Sequence, residues 1–408
     1  MSSTPKQCEQ KITVNQLEPG MYVLSVRTKG KAVSIKSEGY ISSKENIQKL
    51  VKVGVTHLTV DPSRQKSAEK IDKILPEVKD KPEREASKKS GHGVSLDQEM
   101  TKASKLYDDA KSLQHKILNS LTEHKTINIT EAKESTDAIV DSIFRNQDAL
   151  SCMTRLRIKD EYLVEHSLNV SILMTLFAKH LDFEREVIEH LALGAFLHDI
   201  GKVLVPPEIL HKPGKLTPQE YEVMKSHVNL GIEVLKDSPD LPELVSEVVQ
   251  QHHERLDGKG YPNQLHEQQI SLYGRMIAIV DSYDAMTADR VYKSGMHPIK
   301  AFKILIKEAP NGYDNSLVEQ FVNCLGIYPI GTLVKLTSGK LGLISRLNKS
   351  QPLLPFVRVF YNTRLNQAIA MEEIDLSQTK HKDQIDCCIK PEEFNINLLR
   401  FFKAAFNN

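Results

Sequence analysis

LALGAFLHDIGK, residues 191–202, is the stretch on which the interpretation of this chain depends. Its apolar beginning is typical of a buried helix, which would end near His198 and Asp199. An imidazole and a carboxylate side by side at a helix C-terminus can serve different metal ions, because an aspartate has two oxygens and can bridge. Alone, the pair is a weak signal, since chance His-Asp pairs are common on solvated surfaces.

Other imidazoles and a carboxylate belong to helices that are otherwise apolar. His166 lies in YLVEHSLNVSILM, His227 opens HVNLGIEVL, His252-His253 ends LVSEVVQQHH, and Asp281 lies in RMIAIVDSYDAM. An unpaired imidazole or carboxylate would be costly to bury in such helices. The pattern therefore predicts that several helices aim metal ligands at one point.

Each of these residues also has a structural interpretation. A lone His166 or His227 is more often a hydrogen-bonded helix histidine than a ligand. His252-His253 could be a polar helix terminus, and Asp281 could pair with Arg275. The remaining histidines lack such a context and are interpreted as surface or structural residues: His57, His92, His115, His124, His180, His190, His211, His266, His297 and His381.

The segment from His166 to Tyr328 resembles the HD-GYP family, bacterial phosphodiesterases that degrade cyclic di-GMP. The resemblance is carried by HSLNV, LHDIGK, VPPEILHKPGKLT, HVNLG, HHERLDGKGYP and DSYDAMTADRVYK. It implies a mainly α protein with an all-helical HD-type phosphohydrolase domain. The sequence departs from the family pattern at RVYK, residues 290–293, and at ISLYGR, residues 270–275. Both departures bear on nucleobase preference and remove no metal ligand.

The resemblance also implies the metal ligands, position by position. One metal ion would be held by His166, His198, Asp199 and Asp281. Asp199 would bridge to a second ion, completed by His227, His252 and His253. The implied metals are iron or manganese, which agrees with a ligand set of histidines and carboxylates. Some family members bind a third metal through a glutamate one helical turn before the first histidine; Tyr162 stands there in this chain, which predicts a two-metal centre.

Further residues are predicted to contact the substrate. Lys202 would bond a phosphate oxygen near the metals, although it could also be a cation that the helix C-terminus favours. Arg290 and Lys293 would hold the second phosphate, Arg290 by a bidentate fork. Asp284 would orient Arg290 or Lys202, or be a surface acid. Tyr261 belongs to the GYP loop, which would bend over the site or contact partner proteins.

The implied activity is hydrolysis of a cyclic dinucleotide, cyclic di-GMP or 3'3'-cyclic GMP-AMP, to the linear dinucleotide, and the sequence leaves open whether hydrolysis continues to mononucleotides such as GMP. Two cations can lower the pKa of a shared water until it is hydroxide at neutral pH and aim it at phosphorus. The sequence does not decide between the two substrates. Alternatives are a degenerate HD-GYP module that binds nucleotide or partner proteins without turnover, and a nucleotidase of the HD superfamily, which the GYP loop and DRVYK disfavour.

Composition predicts a folded cytoplasmic protein. Hydrophobic residues make up 40% of the 408 residues and charged residues 26%, a balance typical of globular proteins. The formal net charge of +1 offers no field that would attract polymeric nucleic acid or a membrane. The five cysteines form no CxxC pair and are interpreted as free thiols. The polar N-terminus has no apolar run of the kind found in a signal peptide.

Changes in composition predict the domain organisation. Residues 1–61 alternate short apolar stretches around a helical piece, SKENIQKLVKVG, as in a small α+β regulatory module. Residues 62–95 are rich in charge and poor in apolar residues, so they are predicted to form a linker. Residues 96–327 are helical, with the catalytic core at 150–327, and residues 328–408 form a β-rich appendage. A homodimer or signalling partner proteins are the expected partners besides the substrate.

Overall fold

Two compact units, Met1–Ser90 and Gly91–Asn408, make up the computed structural model of the chain. The structure describes residues 10–18, 21–28, 39–40, 47, 51, 55–60, 94–155, 162–238, 240–289, 294–348, 350–378 and 383–394. The predicted linker therefore lies outside the described residues except for its last two positions. The predicted helix at 43–54 lies outside them almost entirely.

The first unit contains a small antiparallel sheet. Its strands are β1 (Gln10–Thr13), β2 (Tyr22–Thr28), β3 (Gly39–Tyr40) and β4 (Val55–Val60), in the order β1-β4-β2-β3. A 3-10 turn at Val14–Gln16 follows β1. One face of the sheet buries its own apolar cluster, formed by Ile12, Val14, Leu17, Val23, Val55, Leu58 and Val60.

The second unit begins with the helical domain. Its helices are α1 (Leu96–Thr122), α2 (Ile129–Arg145), α3 (Gln147–Met153), α4 (Tyr162–His180), α5 (Arg185–Leu197), α6 (Pro207–Leu210), α7 (Pro218–Lys225), α8 (His227–Leu235), α9 (Glu243–Gln251), α10 (Leu272–Thr287), α11 (Pro298–Gly312) and α12 (Asn315–Leu325). None of the helices in the described residues is long and apolar enough to cross a membrane. Helices α4 and α5 are the centre of the domain: nearly all residues of α4 are buried, and α5 is buried from Leu191 to its end.

The C-terminal strands form one antiparallel sheet. They are β5 (Leu333–Leu336), β6 (Lys340–Arg346), β7 (Phe356–Asn362), β8 (Gln367–Asp375) and β9 (Ile385–Cys388), in the order β8-β7-β6-β5-β9. Apolar residues of β5, β6 and β7 belong to the same core cluster as α4, α5 and α10. The sheet is thus packed into the helical domain, and one continuous core covers both.

The predicted fold class is confirmed, since the protein is mainly helical with a small N-terminal β segment and a C-terminal antiparallel sheet. The predicted helix start is also correct: Ser95 caps α1, its side chain accepting a hydrogen bond from the backbone N–H of Gln98. Within the predicted helical segment, new helices begin at the caps Asn128 and Asn146. Their side chains accept backbone N–H groups at the next helix start, and asparagine favours such caps.

A buried carboxylate joins the first two helices of the domain. Glu99 of α1 is fully buried and accepts hydrogen bonds from the Arg145 guanidinium of α2, the shortest at 2.7 Å, and from the Ser142 hydroxyl at 2.9 Å. Burial alone would raise the pKa of Glu99, but these hydrogen bonds outweigh it and hold the pKa below its ordinary value. The ionised carboxylate therefore stabilises the contact between α1 and α2.

Glu99→Gln should lower the free energy of unfolding by about 2 kcal/mol at pH 7, because a charge-assisted network loses its acceptor. A carboxyl with a lowered folded-state pKa contributes stability above its unfolded pKa and loses it as the pH falls through the folded value. The difference from the parent protein should therefore shrink below about pH 4.5. Urea unfolding of both proteins between neutral pH and values below about pH 4.5 measures this difference in the free energy of unfolding.

The exposed ion pair of Lys133 and Asp137 on α2 provides the control. Lys133→Gln should change stability by less than about 0.5 kcal/mol. Equal effects of Glu99→Gln and Lys133→Gln would contradict the importance of the buried network.

Candidate metal centre

The His-Asp pair lies at a tight helix end. Helix α5 ends at Leu197, His198 is its C-cap, and a 3-10 turn begins at Ile200. Gly201 packs directly on the start of α8, where an added Cβ would lie 2.0 Å from the backbone oxygen of His227. Only glycine permits this approach, and it brings the His-Asp turn next to His227.

Three of the histidines share one orientation. Each lies at a helix end, and its Nδ1 contacts the backbone oxygen three residues earlier: His198 on Ala195 at 2.7 Å, His227 on Met224 at 2.7 Å, and His252 on Val249 at 2.6 Å. A carbonyl can only accept, so each Nδ1 carries the proton and donates it. In the neutral ring Nε2 is then left as a lone pair, the form that binds a metal ion.

Asp199 presents its two carboxylate oxygens to two pairs of histidines. Oδ2 lies 3.5 Å from His166 Nε2 and 3.3 Å from His198 Nε2. Oδ1 lies 3.4 Å from His227 Nε2 and 3.6 Å from His252 Nε2. The carboxylate is completely buried between the pairs. This is the arrangement of a carboxylate that bridges two cations.

Asp281 and His253 complete the cluster. Asp281 lies on α10, with Oδ1 2.9 Å from His166 Nε2 and 3.9 Å from His198 Nε2. Its Oδ2 lies 3.4 Å from His253 Nδ1. Arg275, the alternative partner of Asp281, instead pairs with Asp314 at 3.1 Å. The seven residues predicted as ligands are thus brought together, and their ligand role stays a prediction.

The cluster has the properties of a cation site. His227 Nε2 and His252 Nε2 face each other at 3.2 Å, and because both rings donate from Nδ1, two lone pairs meet there. His198 Nε2 and Asp199 Oδ1 are buried and have no hydrogen-bond partner within the described part of the chain. Two ligand sets emerge, each with its ligand atoms within 4.8 Å of one another: Asp199 with His227, His252 and His253, and Asp199 with His166 and His198. Cations would satisfy these buried groups.

Burial keeps three of the histidines neutral. It lowers the pKa of His227 to about 3, helped by the nearby Lys202 ammonium. Burial also lowers the pKa of His252, and it lowers that of His253 further below its ordinary value. Neutral imidazoles are the form that ligates metal, so these side chains need not lose a proton at neutral pH.

His166 is held by carboxylates on both ring nitrogens. Asp284 Oδ2 lies 2.8 Å from its Nδ1, on the side of the ring opposite Asp281. Burial would lower the pKa of His166, but the hydrogen bonds to Asp281 and Asp284 raise it to about 9. Metal binding at Nε2 would therefore release a proton. The carboxylate at Nδ1 sets the orientation of the ring.

The position of Asp284 decides between two sequence-based interpretations of this residue only in part. Asp284 was expected to be a substrate contact that orients Arg290 or Lys202, or else a surface acid. It is completely buried, which excludes a surface acid, while its role in orienting Arg290 or Lys202 stays a prediction because Arg290 lies outside the described residues. Its spacing of three residues from Asp281 puts both on one face of α10, where both contact His166.

Lys202 lies at the open side of the cluster. Its Nζ is 2.5 Å from Asp199 Oδ2, and its side chain is 17% exposed. The side chain is therefore not completely covered, and its ammonium group balances the buried carboxylate. Arg290 and Lys293, the other predicted phosphate contacts, lie outside the described residues.

A buried glutamate holds the GYP loop next to the cluster through hydrogen bonds to the backbone that follows the loop. Glu254 accepts backbone N–H groups from Asn263 at 2.7 Å and Leu265 at 3.0 Å. Gly260 packs against it, since an added Cβ would lie 2.5 Å from the Cα of Glu254. The Tyr261 ring consequently rests on His253, with ring centroids 4.6 Å apart.

Polar side chains of helix α1 contact helices α4 and α5 beside the metal centre. These contacts were not predicted from the sequence. Tyr107 donates a hydrogen bond to Asn169 of α4 at 2.9 Å, and Gln114 donates to the backbone oxygen of Phe196 at 3.3 Å. Lys111 pairs with Glu165, the neighbour of His166, at 3.0 Å. Gln114 stands on the apolar stripe of α1 with Ala103, Tyr107 and Ala110, and a polar residue there was the available signal.

Comparisons with known proteins agree with this architecture. Residues 150–317 match the HD domain family, and residues 9–132 match DUF3391, a domain of unknown function. A cyclic di-GMP phosphodiesterase of Pseudomonas aeruginosa is 33% identical over 383 residues, which is 92% of this chain and 91% of that protein. A cyclic di-GMP phosphodiesterase of Thermotoga maritima is 35% identical over 184 residues, 45% of this chain and 49% of that protein.

A third relative is named for a different cyclic dinucleotide. A 3'3'-cGAMP-specific phosphodiesterase of Vibrio cholerae is 42% identical over 124 residues, 30% of this chain and 24% of that protein. The similarity to the Pseudomonas protein extends over almost the full length of both chains, and the metal-dependent HD domain is matched across the cluster of histidines and aspartates. The chain therefore belongs to the HD-GYP family of cyclic dinucleotide phosphodiesterases, with a DUF3391 domain at its N-terminal end.

Proposed function

We propose that this protein hydrolyses cyclic di-GMP, 3'3'-cyclic GMP-AMP or both to the linear dinucleotide in the cytoplasm. The observation that carries the proposal is the buried Asp199, whose two oxygens face two different pairs of histidines. The names of the relatives from Pseudomonas and Vibrio support the two substrates.

In this proposal the cluster holds two divalent cations, iron or manganese. His166, His198 and Asp281 would hold one, His227, His252 and His253 the other, and Asp199 both. Such a pair of cations supplies an activated water and stabilises the charge on the phosphoryl oxygens. The protein keeps His227, His252 and His253 neutral by burial and holds the His166 ring in place through Asp284.

The cationic side chains would bind the phosphates. The Lys202 ammonium, beside Asp199 on a side chain that is not completely covered, would donate to an oxygen of the phosphate that is cleaved. Such a charge-assisted hydrogen bond strengthens as negative charge develops on the phosphoryl group. Arg290 and Lys293 would hold the second phosphate of the ring.

Tyr162 supports a count of two metal ions. It stacks on His166, with ring centroids 5.4 Å apart and planes 15° apart. A phenol ring occupies the place from which a glutamate would reach a third cation in some relatives. A neutral phenol is a poor ligand for a divalent ion compared with a carboxylate.

Protein loaded with Mn(II) or anaerobically with Fe(II) should contain two metal ions per chain and cleave cyclic di-GMP or 3'3'-cyclic GMP-AMP. Elemental analysis and chromatography of the products measure both results. Chelation should abolish turnover, and adding the metal back should restore it. A fully loaded protein that binds these nucleotides without cleaving them would contradict the proposal and favour the degenerate binding module.

A further inference from the structure

An exposed aromatic ring and an ammonium group border the metal centre on α7. Tyr221 is 47% exposed, and its ring centroid lies 6.2 Å from that of Tyr261, with the planes 82° apart. Tyr261 itself rests on His253 and lies 6.1 Å from His227, between ring centroids. A row of rings therefore leads outward from the metal ligands to the surface.

The ammonium group of Lys225 lies near the rings of both Tyr221 and Tyr261. Its Nζ lies 5.5 Å from the ring centroid of Tyr221 and 5.8 Å from that of Tyr261. Its carboxylate partner is Glu222 at 2.7 Å, which is 69% exposed. Ion pairs this exposed contribute little free energy, so the ammonium group can exchange Glu222 for another acceptor at low cost.

We propose that Tyr221 and Lys225 form a guanine subsite for the cyclic dinucleotide, an inference that rests on the proposed function. If one phosphate of the substrate lies at the metal centre, the ribose places the attached base several ångströms farther out. The base would then lie beside the row of rings, near Tyr221. An exposed tyrosine face stacks on any nucleobase. Tyr221 is the outer ring of the row, and Tyr261 holds it in place.

Lys225 supplies the preference for guanine. A lysine only donates hydrogen bonds. Guanine presents two adjacent acceptors, N7 and O6, whereas adenine presents N7 beside the N6 amino group, which is a donor. The ammonium group therefore favours guanine over adenine at this position. A substrate needs one guanine to use the subsite, and both cyclic di-GMP and 3'3'-cyclic GMP-AMP have it, whereas cyclic di-AMP lacks it.

The stacking role is tested with Tyr221→Ala and Tyr221→Phe, assayed as metal-loaded full-length proteins. Tyr221→Ala should raise KM for cyclic di-GMP about tenfold and change kcat much less, because the ring contacts the base and not the reacting phosphate. Tyr221→Phe keeps the ring and should restore KM to within about twofold. Phe144→Ala removes a ring of similar exposure, 43%, on α2 and is the matched control.

The guanine preference is tested with Lys225→Gln on cyclic di-GMP, 3'3'-cyclic GMP-AMP and cyclic di-AMP. The parent protein should have the highest KM for cyclic di-AMP, and Lys225→Gln should reduce the difference from cyclic di-GMP about fivefold. The control is Lys236→Gln, because Lys236 makes the same i,i+3 pair with a glutamate, at 2.6 Å. Metal content and melting temperature are measured for every variant.

Failure of the guanine subsite and failure of the proposed phosphodiesterase function give different results in these assays. If the parent protein cleaves cyclic dinucleotides but Tyr221→Ala leaves KM unchanged, or Phe144→Ala raises it equally, the subsite is overturned and the proposed function stands. An unchanged substrate preference in Lys225→Gln overturns the role of Lys225. If the parent cleaves none of the three nucleotides, the proposed function fails, and the subsite fails with it.

Discussion

Asp199→Ala should lose at least about a thousandfold in phosphodiester hydrolysis, which corresponds to about 4 kcal/mol of transition-state free energy. Asp199 is the one residue that both ligand sets share, so its removal takes a ligand from each cation site at once. The metal content should fall in parallel with activity. Elemental analysis and a cyclic dinucleotide assay on the same preparation measure both losses.

The comparison with Asp199→Asn separates charge from shape, since asparagine keeps the volume but lacks the negative charge and the second oxygen with which a carboxylate bridges two cations. We expect the Asp199→Asn protein to be nearly as inactive as the Asp199→Ala protein. Asp386→Ala, which removes an aspartate of 52% side-chain exposure on β9, is the control and should be active. Full activity and full metal content in Asp199→Ala would disprove the bridging assignment.

Lys202→Met should lower kcat/KM about a hundredfold and leave the protein loaded with metal. The ammonium group lies beside Asp199, where a phosphate oxygen would lie during cleavage. The loss of one preorganised donor to a developing oxyanion has about this effect. Steady-state kinetics with a cyclic dinucleotide, together with the metal content, provide the measurement.

A purely structural role for Lys202 makes a different prediction. If the side chain only balanced the Asp199 carboxylate, the metal ions would take over that task, and Lys202→Met would be fully active once loaded. Lys202→Arg keeps the charge and should recover part of the activity. Lys335→Met, on β5 and 36% exposed, should have no effect on either quantity.

Local motifs were sufficient to predict which residues meet at the metal centre. HDIGK, HVNLG, HHERLDGKGYP and DSYDAM each combine a ligand type with a helix end or an apolar helix face. Gly201 shows how a motif residue fixes the geometry of the site. Any side chain at that position would collide with the backbone of His227. The sequence predicted that these side chains converge because burying them without a partner would be too costly, and the metal-ligand role that the family resemblance implies for them stays a prediction.

The partners of those ligands were less predictable. The contact of the buried Asp284 with His166 Nδ1 was not predicted from the sequence. The contacts of Tyr107, Lys111 and Gln114 with α4 and α5 join residues more than fifty positions apart. Spacing along one helix tells which face a residue is on, and it does not tell which other helix packs against that face.

The sequence by itself determined the mainly helical fold, the ligand types and the family, because helix periodicity, caps and catalytic motifs are local properties of the chain. Only the tertiary structure decided which oxygen of Asp199 faces which histidines, which ring nitrogens carry protons, and that Tyr221 and Lys225 lie at the edge of the centre. The protons on Nδ1 of three histidines follow from local contacts with backbone oxygens three residues earlier, but these contacts form only once each helix end has its final conformation. The other properties arise from packing between helices that are distant in sequence.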